Sequence, residues 1–306
     1  MDNNRRPVDS LPRVVPDTFT RLTLFAGLLL LASAGSAVQV TDATGQRLEL
    51  AQPATRIVSL APHLTELLFA IGAGDTIIAT VSHSDYPAAA RNIPRIGNYT
   101  RFDNERLVAL QPDLVLGWQS GNPAGQLQRL RALGLAVHVS EPRQLTDIAR
   151  LLETLGKLTG HRATATSAAD DYRARLAALH KRYRDRPPIS VFYQIWHQPL
   201  ITVGGAHVLN EVIELCGGRN VFATSTRLAP RVATEAVLAA RPQVIVASGP
   251  DGQRPQWLDD WRHWSQLPAV RDEHLYHINP DHLQRHSPRI LDGTAQLCRI
   301  LEEARG

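Results

Sequence analysis

The chain has 306 residues, with 33 Lys+Arg against 29 Asp+Glu for a formal net charge of +4, and it contains two cysteines. With 43% hydrophobic residues, 20 glycines and 20 prolines it is neither disordered nor collagen-like, and its length leaves room for two domains that bury cores without disulfide staples. Lys157 and Lys181 are the only lysines, the arginines are scattered and no basic run exceeds two residues, which excludes a nucleic-acid footprint.

Residues 1–37 read as an address. Arg5, Arg6, Arg13 and Arg21 precede an uncharged run from Leu22 to Ala34, and small residues follow at Ala32, Ala34 and Ala37, the pattern of a secretory signal peptide cut after Ala34 or Ala37. A membrane anchor is the alternative, but such a run gives roughly 20 Å of helix against a hydrocarbon core of about 30 Å. The first cysteine is Cys216, so an N-terminal lipid anchor has no attachment point. An exported chain with two cysteines is expected to form one disulfide, Cys216 to Cys298, worth about 4 kcal/mol in the chain-entropy account. Two buried free thiols are the other reading.

Past the leader, Val38 to Leu50 is hairpin-like and Arg56–Leu60 is a short apolar strand. Pro62 opens a helix through Ile71, closed by Gly72 and Gly74. Strand, turn and helix then alternate to the end, which predicts an α/β fold with parallel sheets. The segment Glu105–Leu116, ERLVALQPDLVL, resembles Glu235–Val246, EAVLAARPQVIV, at a constant offset of 130. Each copy reads as a short helix stopped by proline and followed by a fully buried strand. Two similar Rossmann-like lobes follow, at 38–160 and 187–306.

Between the copies, Leu145, Ile148, Leu151, Leu152, Leu155 and Leu158 fall at helical spacing until Gly160. A second helical run from His161 to Arg184 carries Tyr172, Leu176, Leu179 and Tyr183, and Pro187-Pro188 ends it. At about 24 residues it is roughly 36 Å long, enough to cross between lobes. The segment 161–186 is therefore expected to be the single connecting backbone helix of a stiff molecule with a cleft.

Ligands of parallel sheets sit beyond the carboxyl ends of the strands. Those ends carry Ser82 to Pro87, Gly117 to Asn122 and Gln194 to Pro199, with Tyr99 in a nearby turn. Aromatic and amide side chains with few charges suit a large ligand with apolar faces and polar edges better than a small anion or bare metal ion.

Taken together, Arg56–Pro62 with Thr65-Glu66, Ser84–Pro87, Asn104–Arg106 before Pro112-Asp113, Trp118 with Gly121-Asn122, Cys216–Gly218, and Ser287–Ile290 ahead of Gln296–Cys298 resemble the periplasmic vitamin B12 (cobalamin) binding proteins of ABC importers. The resemblance runs from about Arg56 to Leu301 and implies the helical-backbone class of substrate-binding proteins. The framework alone is shared with haem, siderophore and metal-chelate carriers. The two cysteines and the tryptophan before Gly-Asn narrow it to cobalamin, carried as a transported ligand and not as a cofactor.

Carried over by position, the resemblance places His83, Tyr99, Trp118, Ile201, Ala229, Asp281 and Arg285 around the corrinoid. This chain departs from the family pattern, which has aromatics at the places of His83, Ile201 and Ala229 and tryptophan at that of Tyr99. Trp196, five residues before Ile201, is expected to replace part of that surface. Asp281 would accept hydrogen bonds from amides on the corrin rim, oriented by Arg285. An imidazole at His83 could ligate cobalt through a neutral ring nitrogen or serve as a hydrogen-bonding group.

Glu105 and Glu235 open the repeated helices, where a carboxylate also suits the helix dipole. The resemblance makes them two docking knobs, one per lobe, for the transmembrane subunits of the importer, with the carrier a monomer. His274 with His277, and His282 with His286, have spacings metals use, but no third ligand converges on either pair. Trp257, Trp261 and Trp264 at helical spacing read as core. No G-x-S-x-G elbow, H-E-x-x-H, P-loop or G-x-G-x-x-G opening a helix occurs, so the reading is a carrier and not an enzyme.

Overall fold

The computed structural model describes residues 37–249 and 252–306. The leader expected at residues 1–37 lies outside them, apart from Ala37.

The chain enters through an antiparallel hairpin of β1 (Val38–Thr41) and β2 (Arg47–Leu50), turned where the Asp42 carboxylate accepts the N–H groups of Thr44 and Gln46 at 2.9 and 3.0 Å. The first lobe follows as β3 (Ile57–Ser59), α1 (Pro62–Ala70), β4 (Ile77–Ala79), the small hairpin β5 (Gly97–Asn98) and β6 (Arg101–Phe102), α2 (Asn104–Ala109), β7 (Leu114–Trp118), α3 (Ala124–Ala132) and β8 (Val137–Ser140). Its sheet is parallel throughout, in the order β4-β3-β7-β8.

Helix α4 (Leu145–Thr159) packs on the first lobe, and α5 (Arg162–Tyr183) leads from it to the second. In α4 the six apolar positions at helical spacing are all buried. Gly160 ends the helix in the left-handed region at φ 79°, where glycine pays no Cβ penalty. The 22-residue α5 buries only a seam of Ala165, Ala169, Tyr172, Leu176 and Tyr183. Its outer face is tied by Arg173 to Glu153 of α4 at 2.7 Å.

The second lobe runs β9 (Ile189–His197), β10 (Leu200–Thr202), α6 (Val208–Leu215), β11 (Gly218–Asn220), α7 (Thr234–Ala240), β12 (Val244–Ala247), α8 (Pro268–Arg271), β13 (Leu275–His277), α9 (Pro280–Leu283) and α10 (Ile290–Glu303). Its parallel strands lie in the order β11-β9-β12-β13. With only the parallel strands of each sheet numbered in chain order, both read 2-1-3-4. The sequence repeat is thus a repeat of topology, with α2 and β7 matched by α7 and β12.

Period-two alternation buries both faces of each central strand. Ile57, Leu114, Leu116, Val191, Tyr193, Val244 and Val246 all face one core, which runs through α1, α4, α5, α6 and α10 without a break at the lobe boundary. Val58 and Val115 face a separate outer cluster in the first lobe, and Phe192 and Ile245 face its counterpart in the second. A shared core under both sheets, and not the long helix alone, joins the lobes.

The second sheet departs from the expected outline in one place. The sequence reading ends the strand at Tyr193 and puts Gln194–Pro199 in a loop at the cleft mouth. Instead β9 continues to His197 and returns through Gln198-Pro199 as β10, antiparallel on the same edge that β11 uses earlier. Pairing with β10 satisfies backbone groups that a loop would leave to water. Trp261 is core, as the stripe predicts, donating its indole N–H to Gln194 Oε1 at 2.7 Å, while Trp264 is exposed. Cys216 and Cys298 form a disulfide between the end of α6 and α10, so the expected bridge is present.

Candidate ligand cleft

A cavity of about 490 Å³ opens between the lobes. From the first lobe it is lined by Pro62 and His63 at the start of α1, His83 and Asp85 after β4, Tyr99 in the β5–β6 turn and Trp118 at the end of β7. The second lobe supplies Gly252, Pro280, Asp281, Gln284 and Arg285.

Trp118 forms the inner wall, and its placement follows from its neighbours in sequence. A Cβ on Gly121 would lie 1.9 Å from the indole, so only glycine lets the ring fold back over its own backbone. Asn122, buried, accepts the Trp118 N–H at 2.6 Å and donates to the carbonyls of Leu60 at 2.9 Å and Tyr99 at 2.7 Å. One amide thus fixes the end of β7, the end of β3 and the turn bearing Tyr99, whose ring lies 5.9 Å from the indole. His83 is exposed on its loop at φ 65°, a left-handed conformation uncommon for a non-glycine residue.

Beneath Trp118 lie imidazoles from three separate segments, of which His63 and His286 are buried and His207 is partly buried. His63 and His286 stand edge-on to the indole at 5.2 and 5.7 Å and lie 5.5 Å from each other, and His207 is 6.3 Å from His286. Burial pushes His63 well below its ordinary value, helped by His286 and Arg285. It likewise lowers His286 to about 3, with His207 adding to the effect, and His207 to about 4. All three are neutral at physiological pH. His207 Nδ1 caps α6 by accepting the Leu209 N–H at 3.1 Å, which places its proton on Nε2.

The second-lobe side of the cleft is ionic. Arg285 donates from Nη1 to Glu66 Oε1 and Asp85 Oδ1, both at 2.8 Å, and its Nη2 lies 2.7 Å from Asp281 Oδ1. Burial opposes the guanidinium charge, but the bonds to Glu66 and Asp85 outweigh it and raise the pKa. Burial alone would raise the Asp85 carboxyl, and the hydrogen bond and charge of Arg285 bring it below its ordinary value.

Of the residues expected around a ligand, His83, Tyr99, Trp118, Asp281 and Arg285 therefore converge on one cavity. Ala229 lines a second cavity of about 180 Å³ on the other side of Trp118, with Leu228, His207 and His286. Ile201 and Trp196 line neither. They are paired across the β9–β10 hairpin, where the Trp196 indole is 42% exposed and donates to Gln198 O at 3.1 Å. His63, His207 and His286 escape sequence reasoning as a group, because no spacing links them. Glu105 and Glu235 are exposed at the second positions of α2 and α7. In α2 the capping bond is taken by Asp103, which accepts the Arg106 N–H at 3.0 Å. Among the described residues no group of three or more His, Cys, Asp or Glu is arranged to hold a metal ion.

A family model described as periplasmic binding protein matches residues 57–282. The chain belongs to the periplasmic binding protein family, a family of binding proteins. Within it, the chain is 37% identical over 257 residues to a vitamin B12-binding protein of Vibrio parahaemolyticus serotype O3:K6, covering 83% of this chain and 92% of that protein. It is 39% identical over 253 residues to a vitamin B12-binding protein of Vibrio cholerae serotype O1, covering 82% of this chain and 91% of the relative. The crystal structure of the periplasmic vitamin B12 binding protein BtuF of Vibrio cholerae matches with a TM-score of 0.77 at 38% identity, over 83% of this chain and 98% of that one. A periplasmic haem-binding protein, RhuT from Roseiflexus sp. RS-1, matches with a TM-score of 0.73 at 23% identity, over 83% of this chain and 100% of that one, a likeness of fold alone.

Proposed function

We propose that this protein captures cobalamin, or a related corrinoid, in the cleft between its lobes and delivers it to an ABC importer without chemistry on it. The observation that carries the reading is the identity of 37–39% to vitamin B12-binding proteins over about nine-tenths of their length. The geometry supports it. A cavity of about 490 Å³ is in the range of organic-ligand sites and far exceeds the roughly 30 Å³ of a water-sized guest. Trp118 and Tyr99 offer apolar faces, and Asp281 on Arg285 offers an acceptor for amide N–H groups on a ligand rim. Titrating the purified protein with cyanocobalamin, haem and a ferric siderophore in parallel tests the reading. Saturation by cyanocobalamin is expected; haem or siderophore binding without cyanocobalamin binding would overturn it.

The finer roles form part of the same proposal. His83, on the cleft cavity, and Ala229, on the cavity beside it, belong to the corrinoid's surroundings, and the visible spectrum of bound corrinoid in His83→Ala decides the part of the imidazole: a changed spectrum assigns cobalt ligation, an unchanged one hydrogen bonding. Glu105 and Glu235, exposed at matching points of two lobes of like topology, suit a two-fold partner. Reversing both charges is expected to abolish uptake while leaving ligand affinity intact, and a fall in affinity would refute the docking role. The leader exports the chain as a free monomer to the periplasm, with no cysteine before Cys216 for a lipid anchor.

A further inference from the structure

Glu66 belongs to α1 in the first lobe and is 3% exposed. Its Oε1 accepts from Arg285 Nη1 at 2.8 Å and Arg289 Nη1 at 3.1 Å, and its Oε2 accepts from Ser287 Oγ at 2.6 Å. All three donors lie in the short segment between α9 and α10 of the second lobe. One buried carboxylate therefore holds the strip of chain that carries Arg285, and Arg289 is further fixed with its guanidinium 4.0 Å from the centre of the Tyr86 ring.

Glu66 itself does not line the cleft cavity; Arg285 and Asp281 do. A guanidinium is a rigid planar fork, so its orientation is set by the acceptors around it. Here Nη1 is shared between Glu66 and Asp85 of the first lobe, which turns Nη2 toward Asp281 of the second. Without Glu66 the fork keeps two carboxylates at the cleft and loses the one that fixes its plane from behind. The charge balance also changes, since two arginines lose the buried anion they share.

We propose that Glu66 is a positioning residue that locks Arg285 across the lobe boundary and thereby fixes Asp281 for hydrogen bonding to the ligand. The ligand arm of the proposal rests on the corrinoid reading above. The role differs from general stabilisation, because it acts on affinity through the Arg285–Asp281 pair that lines the cleft.

The test is a double-mutant cycle on cyanocobalamin affinity with Glu66→Gln and Asp281→Asn, together with hydrogen exchange of residues 280–289 in the ligand-free protein. Glu66→Gln is expected to weaken binding about tenfold in the wild-type background and less than about twofold beside Asp281→Asn, as for residues in one network. In the free protein it is expected to speed exchange in 280–289 and leave the central strands unchanged. Equal losses of affinity in both backgrounds, or no loss in the wild type, would overturn the proposal, and so would unchanged exchange in 280–289. Should Glu66→Gln not fold, Glu66→Asp keeps the charge, withdraws the carboxylate by one methylene and serves the same cycle. Wild-type protein that fails to bind cyanocobalamin refutes the corrinoid reading instead, and the exchange measurement still decides the role of Glu66.

Discussion

In the first lobe the cleft wall is built by local geometry: Trp118, Gly121 and Asn122 lie within five residues, and a single amide pins the Trp118 main chain and the Tyr99 turn. In the second lobe the cleft is built by charge from a segment near the C terminus, whose Arg285 is placed by carboxylates more than 190 positions earlier in the chain. Both sheets have the same 2-1-3-4 order, so topology does not cause the difference. One lobe supplies a preorganised apolar surface, and the other supplies polar groups that are in place only when the two lobes are docked.

The largest effect that would sharpen this contrast concerns the disulfide, which lies wholly in the second lobe. Replacing Cys216 and Cys298 by serine frees a loop of 82 positions and is expected to cost about 4 kcal/mol in the chain-entropy account. Urea unfolding measures it, and a loss below about 1 kcal/mol would mean that packing of α6 on α10 already constrains the unfolded chain.

Next comes Asn122→Ala in the first lobe, which strips partners from the Trp118 N–H and the Leu60 and Tyr99 carbonyls. Buried polar groups left unpaired predict a loss of about 3 kcal/mol. Quenching of Trp118 fluorescence by acrylamide should rise with it, and unchanged quenching would show that packing alone holds the indole.

Smaller per group is the pH effect, which both lobes share. His138 in the first lobe, lowered to about 4 by burial despite the opposing pull of Asp42, joins the buried His286 and the partly buried His207 as a neutral imidazole. Their folded values lie below the ordinary 6.5, so their stability contribution is complete above that pH and is lost as pH falls toward 4. Each is expected to lose about 1 kcal/mol by pH 5.5. The lowered carboxylates Asp42, Asp85 and Asp113 give up their contribution only below their ordinary value of 3.8, outside this window. Urea midpoints at pH 7.5 and 5.5 should therefore differ, and equal midpoints would refute the neutral-imidazole account.

The last comparison separates the two tryptophans, and the effect expected at Trp196 is the smallest. Trp118→Ala should weaken cyanocobalamin binding about tenfold or more, whereas Trp196→Ala, on the exposed β9–β10 hairpin, should change it less than about twofold. Comparable losses would place the hairpin against the ligand.

Much of this architecture was legible beforehand. The helical spacing of α4, the glycine that ends it, the buried strands β7 and β12 and the 130-residue offset are local or periodic signals that backbone geometry enforces. Trp118 with Gly121-Asn122 was legible too, because its support is contiguous. The extension of β9 was not, since a strand that gains a second edge partner looks in sequence like a strand end. The imidazole cluster and the Glu66 network were equally hidden, being assembled from α1, α6 and the α9–α10 segment with no shared spacing.

The amino-acid sequence by itself determined the α/β class, the duplication and the pair of cysteines available for a bridge, because these depend on chain order and side-chain periodicity. Only the folded molecule shows which polar groups are buried together, that one core underlies both lobes, and that Arg285 lines the cleft cavity while Trp196 stands exposed on the β9–β10 hairpin. The physical reason is that burial and ion pairing depend on three-dimensional neighbours, and the groups that set the charge and shape of this cleft come from opposite ends of the chain.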